Sequence, residues 1–563
     1  MHDIYGMAAK RHNNSTTPQT QQADEAQVRN HQGGYSFTVD DLARVKRFLV
    51  MGSDAGSYYQ TDRELTIENM EFLKKMADST DDALAVGLVY LIRDVSVRGL
   101  APKVRPALFA LAIAANGKNK AGRAAVKDVF PEVVRTGSHL LTYTQYVDLL
   151  GGWSRGKRAA VNRFYEQDAD TLAYQLIKYR NRDGWTQRDV LRVAHTELNG
   201  QLDKGALFEW VTKGMDGEVD TEVLPELVWD FEVVQGLQVG DVQSVLNLIE
   251  GGSPLSWEML PDWALTYKEV WVALLDHNRV PMTALIRNLG RLTKLGVING
   301  VFSEGRTFQI VERLTDAIAI KKSRIHPLSI LIAAMTYKKG EMRSGGSYSP
   351  SANILDALDT AFYLAFENVA PAGKRTLVAL DISASMDKHT DPSGNLTARQ
   401  VGTAMALVIK VSEPWSEVYG FSAVNYRRDF MGNQTSLGEN AFVPLNIGAK
   451  ERLDAVTERI SALPMGGTDC SLPMREALNN KWEVDTFVII TDNESSAGPE
   501  HAHQALERYR KSKPSRKDAK MIVVSVTATN LSVADPKDLI GQLDICGFGS
   551  DVPQLVSAFS AGI

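Results

Sequence analysis

The chain has 563 residues, of which 44% are hydrophobic and 23% are charged, and its formal net charge is −6. This length exceeds what one hydrophobic core serves, so we expect two or more domains, and the charge excludes a uniformly basic nucleic-acid binder but allows a local basic surface. Two cysteines exclude a disulfide framework, and every apolar run is shorter than the roughly 20 residues that a bilayer requires, so we expect a cytoplasmic protein.

The first 34 residues are rich in Gln, Asn and Thr and poor in large apolar side chains. Such a composition does not supply a hydrophobic core, so we predict a flexible N-terminal arm over residues 1–34. A tail that touches RNA is the alternative, and a featureless extension is the simpler interpretation.

Residues 35–370 have a helical pattern. Ala83–Val97 and Ala107–Ala115 are apolar around most of their circumference, as buried helices are. The apolar residues of 282–295 recur at the i, i+3, i+4, i+7 spacing of one helix face. A long succession of helices with short turns predicts an α-solenoid, in which each helix pair buries its apolar face on the next.

Cationic residues gather in three places within this helical region. The stretch Lys178–Trp185 precedes a helix whose start is marked by a predicted capping box of Thr186 and Asp189. That helix carries cations at i, i+4 and i+7, a second group follows Trp153, and a third repeats the same spacing further along the chain. The candidate RNA-contacting residues are Lys178, Arg182, His195, Arg188, Arg192, Arg155, Lys157, Arg158, Arg287 and Arg291.

Lysine and arginine on a fixed helix face neutralise phosphates, and neighbouring aromatic rings stack on exposed bases. A solvated helix face is the alternative for each group taken alone, and Trp153, Trp185 and Tyr179 are more typical of a core than of a stacking platform. Three cationic faces in one domain favour an anionic partner. The residues alone leave open whether that partner is RNA, DNA or an acidic protein.

Residues 371–563 alternate apolar, β-rich runs with helical segments. The predicted strands cover residues 376–380, 417–421, 486–490 and 520–526, and the predicted helices lie near 398–411, 453–463 and 501–511. This alternation predicts a doubly wound α/β domain, whose ligands lie at the carboxyl ends of its strands.

Two of these apolar runs end in an aspartate, which places two carboxylates at one edge of the sheet. An Asp-x-Ser-x-Ser sequence follows the first run, and a Gly-Gly-Thr-Asp loop lies between the two runs. Two carboxylates with neutral hydroxyl oxygens suit a hard octahedral cation, Mg²⁺ above all, and leave a position for a partner's acidic group. Simple capping of the next helix is the alternative. The candidate metal ligands are Asp381, Ser383, Ser385, Thr468 and Asp492.

This region resembles a von Willebrand factor A domain, and the five residues match that family's metal-ion-dependent adhesion site. The resemblance implies that the metal binds a protein ligand and that the domain is not catalytic. A metal-dependent phosphatase or phosphotransferase is the weaker alternative, because no Lys or His placed as a general acid accompanies the carboxylates in sequence. Cys470 is predicted to be a packed thiol and not a zinc ligand.

The chain as a whole resembles the Ro autoantigen family, ring-forming RNA-binding proteins with a telomerase–Ro–vault (TROVE) domain. The resemblance spans about Thr38 to Ile563 in collinear order, and the chain departs from animal members in its Gln/Asn-rich start and in Ser344–Ser351. The matching phrases are Lys178–Trp185, Leu191–His195, Pro281–Gly290, Arg324–Leu328, Gly373–Arg375, Asp381–Met386, Gly466–Met474, Thr491–Glu494 and Cys546–Phe548.

This resemblance implies HEAT-like repeats closed into a ring that the von Willebrand A domain clasps. Small noncoding Y RNA would bind the outer basic surface through Lys178, Arg182 and His195. Single-stranded 3′ ends of misfolded noncoding RNA would enter the central hole, where Arg287 and Arg291 are candidates to line the wall. The family implies a monomeric, non-enzymatic ring in RNA quality control, decay and stress response, and bacterial members imply polynucleotide phosphorylase, an exoribonuclease tethered through Y RNA.

The distribution of net charge between the two regions of the chain fits an RNA-binding role for the helical region. Residues 1–350 carry 42 basic and 42 acidic groups, and residues 351–563 carry 20 and 26. The helical region is therefore neutral, with its cations gathered on helix faces. Two other hypotheses remain: a metal-dependent adhesion scaffold whose helical part binds an acidic protein, and a metal-dependent hydrolase.

Overall fold

The structure is a computed structural model, and it describes most of the chain. The described residues are 16–52, 62–101, 103–196, 201–215, 219–300, 304–342, 345–366, 371–387, 397–423, 426–428, 434–436, 441–448, 451–461, 467–527, 529–547 and 551–562. Residues 1–15 of the predicted arm, Gly466 of the predicted metal loop and Phe548 lie outside them.

The first half of the chain is almost entirely helical. Two short strands come first, β1 (Gln27–Arg29) and β2 (Tyr35–Thr38). Helices then follow in order: α1 (Asp41–Met51), α2 (Asp62–Ala77), α3 (Asp82–Arg98), α4 (Arg105–Asn116), α5 (Lys120–Val133), α6 (Gly137–Leu149), α7 (Arg155–Asn162) and α8 (Ala169–Lys178). A small hairpin, β3 (Asn181–Arg182) and β4 (Trp185–Thr186), leads into α9 (Gln187–Ala194).

The helical series continues to residue 364. Its members are α10 (Leu202–Lys213), α11 (Glu226–Gly236), α12 (Val242–Glu250), α13 (Lys268–Asp276), α14 (Met282–Lys294), α15 (Glu304–Thr315), α16 (Ala317–Ser323), α17 (Pro327–Lys338) and α18 (Ala352–Leu364). In the first part of the series each helix packs against the second helix after it, α1 on α3, α2 on α4, and so on to α5 on α7. This is the packing of a two-layered helical solenoid, and the prediction is confirmed.

The series closes on itself. The imidazole Nε2 of His326, which caps α17, lies 3.2 Å from the carbonyl oxygen of Leu100, just after α3. The C-terminal domain joins both ends, because Arg98 pairs with Asp551 at 3.0 Å and Arg452 pairs with Asp356 of α18. The predicted ring is confirmed by this closure.

The C-terminal region is an α/β domain. Its elements are β5 (Thr376–Asp381), α19 (Ala398–Ser412), β6 (Ser416–Phe421), β7 (Tyr426–Arg428), β8 (Gln434–Ser436), β9 (Phe442–Pro444), α20 (Leu453–Ser461), α21 (Leu472–Asn479), β10 (Thr486–Thr491), α22 (Ala502–Ser512), β11 (Lys520–Ser525), β12 (Leu531–Ser532), β13 (Gln542–Cys546) and α23 (Val552–Ala561). The main sheet has the order β13-β11-β10-β5-β6-β9, parallel except for β9. The predicted doubly wound sheet is confirmed.

Both faces of this sheet are buried, which explains its continuous apolar strands. On β5, Val378 and Leu380 join the core formed with α19, and this core is continuous with that of the helical ring. Leu377 and Ala379 point to the opposite face and join a second core under α21 and α22. One side of the sheet therefore belongs to the same packed interior as the solenoid.

The prediction of a flexible arm is wrong for residues 16–34. This segment contributes β1 to a three-stranded sheet with β2 and β12, and its Gln19, Gln27 and Asn30 side chains are buried. Asn30 Nδ2 donates to the carbonyl oxygen of Ser495 at 2.7 Å, for example. These amide side chains form no apolar core, but their hydrogen bonds to the backbone of a neighbouring loop hold the segment in place. Amino-acid composition alone does not show such hydrogen bonds.

Candidate nucleic-acid surface and metal site

The hairpin before α9 presents Arg182 to solvent. Its turn uses Asp183 (φ 51°) and Gly184 (φ 82°), both in the left-handed region that a tight two-residue hairpin requires. The Asp183 carboxylate accepts from Arg105 at 2.6 Å and from the Thr142 hydroxyl at 2.7 Å, which fixes the turn to α4 and α6. Arg182 is exposed at this anchored position.

Helix α9 carries its cations outward as predicted. The Thr186 hydroxyl accepts from the Asp189 backbone N–H at 3.2 Å, and the Asp189 carboxylate accepts from the Thr186 backbone N–H at 3.1 Å, so the predicted capping box is confirmed. Arg188, Arg192 and His195 are exposed. The opposite face of α9, formed by Val190, Leu191 and Ala194, is buried.

The cations of α7 divide between surface and interior. Arg155 is exposed, and half-buried Arg158 donates from Nε to the carbonyl oxygen of Val193 at 2.9 Å, which ties α7 to α9. Lys157 is only 7% exposed and donates to the Asn116 side chain and, at 2.6 Å, to the Gly152 carbonyl. Burial lowers the pKa of Lys157. The prediction that Lys157 contacts RNA is therefore wrong, because its ammonium faces the protein interior.

Lys178 lies at the inner edge of the hairpin surface. Its Nζ donates to the Tyr174 hydroxyl at 3.1 Å, lies 3.4 Å from a carboxylate oxygen of Glu258, and sits over the rings of Tyr174 and Tyr179. Burial opposes the charge, but the two tyrosines and Glu258 outweigh burial and raise the pKa of Lys178. The ammonium is therefore charged and held in place beside the exposed Arg182.

The aromatic residues in this region belong to the core. Trp153 and Trp185 are half-buried with ring centroids 6.4 Å apart, and both pack against the main core. The interpretation of these tryptophans as core residues is confirmed. Sequence reasoning did not single out Arg180, which is exposed with its guanidinium 5.2 Å from the Phe231 ring centroid. Arg180 lies two residues from both Lys178 and Arg182, and this spacing is the sequence signal that would have identified it as a candidate RNA contact.

The stripe on α14 lies elsewhere in the ring. Arg287 and Lys294 are exposed, and half-buried Arg291 lies 5.8 Å above the Trp271 ring. α14 packs on α16 and α17, whereas α9 packs on α6, α7 and α10. The cations of α9 and of α14 therefore form two separate surfaces.

The predicted metal ligands converge at the carboxyl edge of the sheet. β5 and β10 are parallel neighbours that pair Leu380 with Ile490, so Asp381 and the residues after Thr491 share one edge. Asp381 and Asp492 are both buried. The Asp381 carboxylate accepts from the backbone N–H of Ser383 at 2.8 Å and from the Thr491 hydroxyl at 2.7 Å.

The hydroxyls stand beside these carboxylates. The Oγ atoms of Ser383 and Ser385 are 3.1 Å apart, and the Asp492 carboxylate accepts from the Glu494 backbone N–H at 3.1 Å. Arg399, a fully buried residue of α19 that sequence reasoning missed, donates to the carbonyl oxygens of Ile382 at 3.0 Å and Ser383 at 3.2 Å. Its guanidinium therefore fixes the loop that follows β5.

The residues present fit a hard divalent cation. The Thr468 hydroxyl is buried and makes no hydrogen bond within the described residues. Burial, and then the nearby Asp492 carboxylate, raise the pKa of Asp381 to about 7, which marks an arrangement of negative groups that a cation would stabilise. Cys470 is buried, and burial raises its pKa, as expected of a packed thiol. Within the described residues no cluster of three or more His, Cys, Asp or Glu could hold a metal, and the candidate set here combines two carboxylates with hydroxyl oxygens.

Membrane association through a spanning helix finds no support in the described part of the chain, where every helix is too short or too polar to cross a bilayer.

Comparison with known proteins agrees with this architecture. The Ro60 vWA domain family matches residues 375–560, and the TROVE domain family matches residues 28–217 and 252–346. The RNA-binding protein RO60 of Deinococcus radiodurans is 37% identical over 97% of both chains, and that of Caenorhabditis elegans is 32% identical over 97% of this chain and 91% of its own. The crystal structure of the Deinococcus radiodurans RO (RSR) protein superposes with a TM-score of 0.66 at 35% identity, over 93% of this chain and all of that one. The chain therefore belongs to the Ro60 family of TROVE-domain proteins.

Proposed function

We propose that this chain is a non-enzymatic RNA-binding ring that acts in the cytoplasm in noncoding-RNA quality control, decay and stress response. The observation that carries the proposal is the surface formed by the hairpin and α9, where Arg182, Arg188, Arg192 and His195 are exposed together. Its relatives in Deinococcus radiodurans and Caenorhabditis elegans are named RNA-binding proteins.

This surface has the chemistry of a phosphate-binding face. Exposed guanidiniums on one helix face neutralise successive phosphates, and the charged Lys178 lies at its inner edge. We assign Y RNA to this outer surface. The separate stripe on α14, with Arg287 exposed and Arg291 half-buried over Trp271, is assigned to single-stranded 3′ ends of misfolded RNA.

The edge of the sheet is proposed to hold Mg²⁺. Asp381, Asp492 and the Thr468 hydroxyl would bind it together with Ser383 and Ser385, and the ion would supply a coordination position for an acidic group of a protein ligand. In this monomeric ring the bound Y RNA would tether an exoribonuclease of the polynucleotide phosphorylase class, and the metal site would bind a protein ligand.

The test is to sequence the RNA that crosslinks to the protein in its own cell. We expect a discrete small structured RNA, and we expect Arg182→Ala combined with His195→Ser to remove it while the thermal midpoint of unfolding stays nearly unchanged. Recovery of the same RNA from that variant, or of no discrete RNA from the wild type, would refute the assignment.

A further inference from the structure

One part of the helical series differs from the rest in charge. Residues 214–267 contain eleven Asp and Glu and no Lys, Arg or His, although the helical region as a whole is neutral. The TROVE family match stops at residue 217 and resumes at 252, so it does not cover most of this acidic segment.

The centre of the segment is α11, which has an apolar pair on its outer face. Leu227, Val228, Phe231 and Val234 are the buried residues of α11, and the helix packs on α8. Trp229 and Val233, one helical turn apart, are instead 40% and 50% exposed. Trp229 and Val233 therefore form a partly exposed apolar pair on the solvent-facing side of α11.

The apolar stripe continues past the helix and is bordered by carboxylates. Val239, in the loop after α11, is 82% exposed, and Glu226 is exposed one turn before Trp229. The Oδ2 atom of Asp230 is buried and makes no hydrogen bond within the described residues. A partly exposed tryptophan beside the exposed Glu226, in a segment with eleven acidic residues and no cation, is a surface that a basic and apolar partner would complement.

The charge decides which kind of partner fits. A polyphosphate chain would be repelled by a segment with eleven carboxylates and no cation, and the cations of the RNA surface end at Arg180, which rests on Phe231 at the edge of α11. A partner rich in Lys and Arg is attracted to this surface by its carboxylates, and burial of Trp229 then stabilises the complex.

We propose that the outer face of α11 and the following loop are a docking site for a basic amphipathic helix of another protein. Its apolar face covers Trp229, Val233 and Val239, and its lysines and arginines pair with Glu226, Asp230 and the neighbouring carboxylates. The ring then has a protein-binding face directly beside its proposed RNA surface, and the two bind partners of opposite charge.

The probe is a fluorescein-labelled 18-residue peptide in which leucines form one face of a helix and lysines the other. Anisotropy titrations at moderate salt are expected to show saturable binding to the full-length protein. The combination Trp229→Ala and Val233→Ser should weaken binding at least tenfold. Glu226→Gln with Asp230→Asn should weaken binding and flatten its salt dependence.

Two controls, Trp415→Ala and a scrambled peptide, and one milder variant, Val239→Ser, separate this site from general electrostatic attraction. Trp415→Ala removes a 67% exposed tryptophan of the other domain and should leave peptide affinity unchanged. Val239→Ser, at a loop position that is 82% exposed, should weaken binding two- to threefold with little effect on stability. A peptide of the same composition with scrambled order should bind at least tenfold more weakly than the amphipathic one.

Several outcomes would overturn the proposal: no saturable binding, equal binding of the scrambled peptide, or equal binding by the Trp229 and Val233 variant. RNA affinity is measured on the same α11 variants and should not change. Failure of the RNA assignment and failure of the docking site are therefore distinguished.

Discussion

Nη2 of Arg47, on α1, donates to both carboxylate oxygens of Asp544 on β13, at 2.7 and 2.6 Å. Nη1 of the same side chain donates to the carbonyl oxygens of Thr529 and Leu531, at 2.6 and 2.5 Å. Arg47 is fully buried. The first helix of the ring is therefore fixed to the α/β domain by one buried guanidinium that reaches four acceptors.

Removal of the Arg47 guanidinium should weaken the contact between α1 and the α/β domain. Arg47→Met removes the donor to two carbonyl groups and leaves the Asp544 carboxylate, among the described residues, with only the Ser532 hydroxyl, which donates to it at 2.7 Å. Breaking a buried ion pair in this way costs about 3 kcal/mol of the free energy of unfolding. Urea unfolding followed by tryptophan fluorescence measures it. Arg44→Met is the matched control, because Arg44 lies on the same helix and pairs with the half-buried Glu68, and it should cost clearly less than Arg47→Met. Equal losses of unfolding free energy in the two variants would mean that the contact between α1 and the α/β domain does not depend on Arg47.

Acid should loosen the contact between the N-terminal segment and α22. His503 packs edge-on against Phe37 at 5.2 Å, and burial, then His501 and Lys537, lower the pKa of His503 to about 4, although Asp24 opposes them. The unfolded chain takes up a proton near pH 6.5 while the folded chain does not, so stability is full above pH 6.5 and falls toward pH 4.

Thermal midpoints measured from pH 7 to 4.5 test this. His503→Leu should remove at most about 2 kcal/mol of the acid-induced loss, whereas His277→Leu, at an exposed histidine, should leave the pH profile as in the wild type. A profile for His503→Leu as steep as that of the wild type would assign the acid sensitivity to other groups.

Mg²⁺ should stabilise the folded protein through the edge of the sheet. A ligand that binds only the folded state raises the thermal midpoint with its concentration, and Asp381→Asn should abolish that rise. Thr468→Val should reduce it, and Mn²⁺ binding followed by electron paramagnetic resonance should weaken in parallel. Thr486→Val is the matched control, since its hydroxyl is equally buried and without a hydrogen bond in the described residues but lies at the opposite end of β10. An unchanged Mg²⁺ response in Asp381→Asn would exclude this site.

Lys157 and Arg192 should separate stability from RNA binding. Lys157→Ala removes the donor to Asn116 and Gly152 and should cost about 1–2 kcal/mol of stability while RNA affinity stays the same. Arg192→Ala, at an exposed position, should change stability by less than about 0.5 kcal/mol and weaken RNA binding. Filter binding measures the RNA affinity of both variants, and urea unfolding measures their stability. If only Lys157→Ala lost RNA affinity, Lys157 would be the RNA contact and Arg192 would not.

The sequence predicted the parts of the molecule that local rules determine. The capping box of Thr186 and Asp189 needs only residues three apart, and Asp381 follows from an apolar run and the topology of a parallel sheet. Long-range packing was not predictable. Lys157 is two residues from Arg155, which places the two side chains on different sides of a helix, so a cationic run on α7 wraps around it instead of forming one face.

Residues whose partners are far apart in the chain were missed for the same reason. Arg399 holds the loop after β5, and Asn30 binds the loop that contains Ser495, 465 positions away. Neither pairing leaves a pattern in the local sequence. The acidic segment around Trp229 was visible in composition, but only the exposure of that side chain shows that it is unpartnered.

The most direct test of the RNA assignment is the salt dependence of affinity for a small structured RNA with a single-stranded 3′ tail. A binder that neutralises several phosphates loses affinity linearly in a plot of log K against log salt, with a slope of about −0.7 to −0.9 per phosphate. The wild type should show a steep slope, and Arg188→Ala combined with Arg192→Ala should make it shallower by about two. A flat plot for the wild type, or an unchanged slope in the double variant, would contradict RNA binding by this surface.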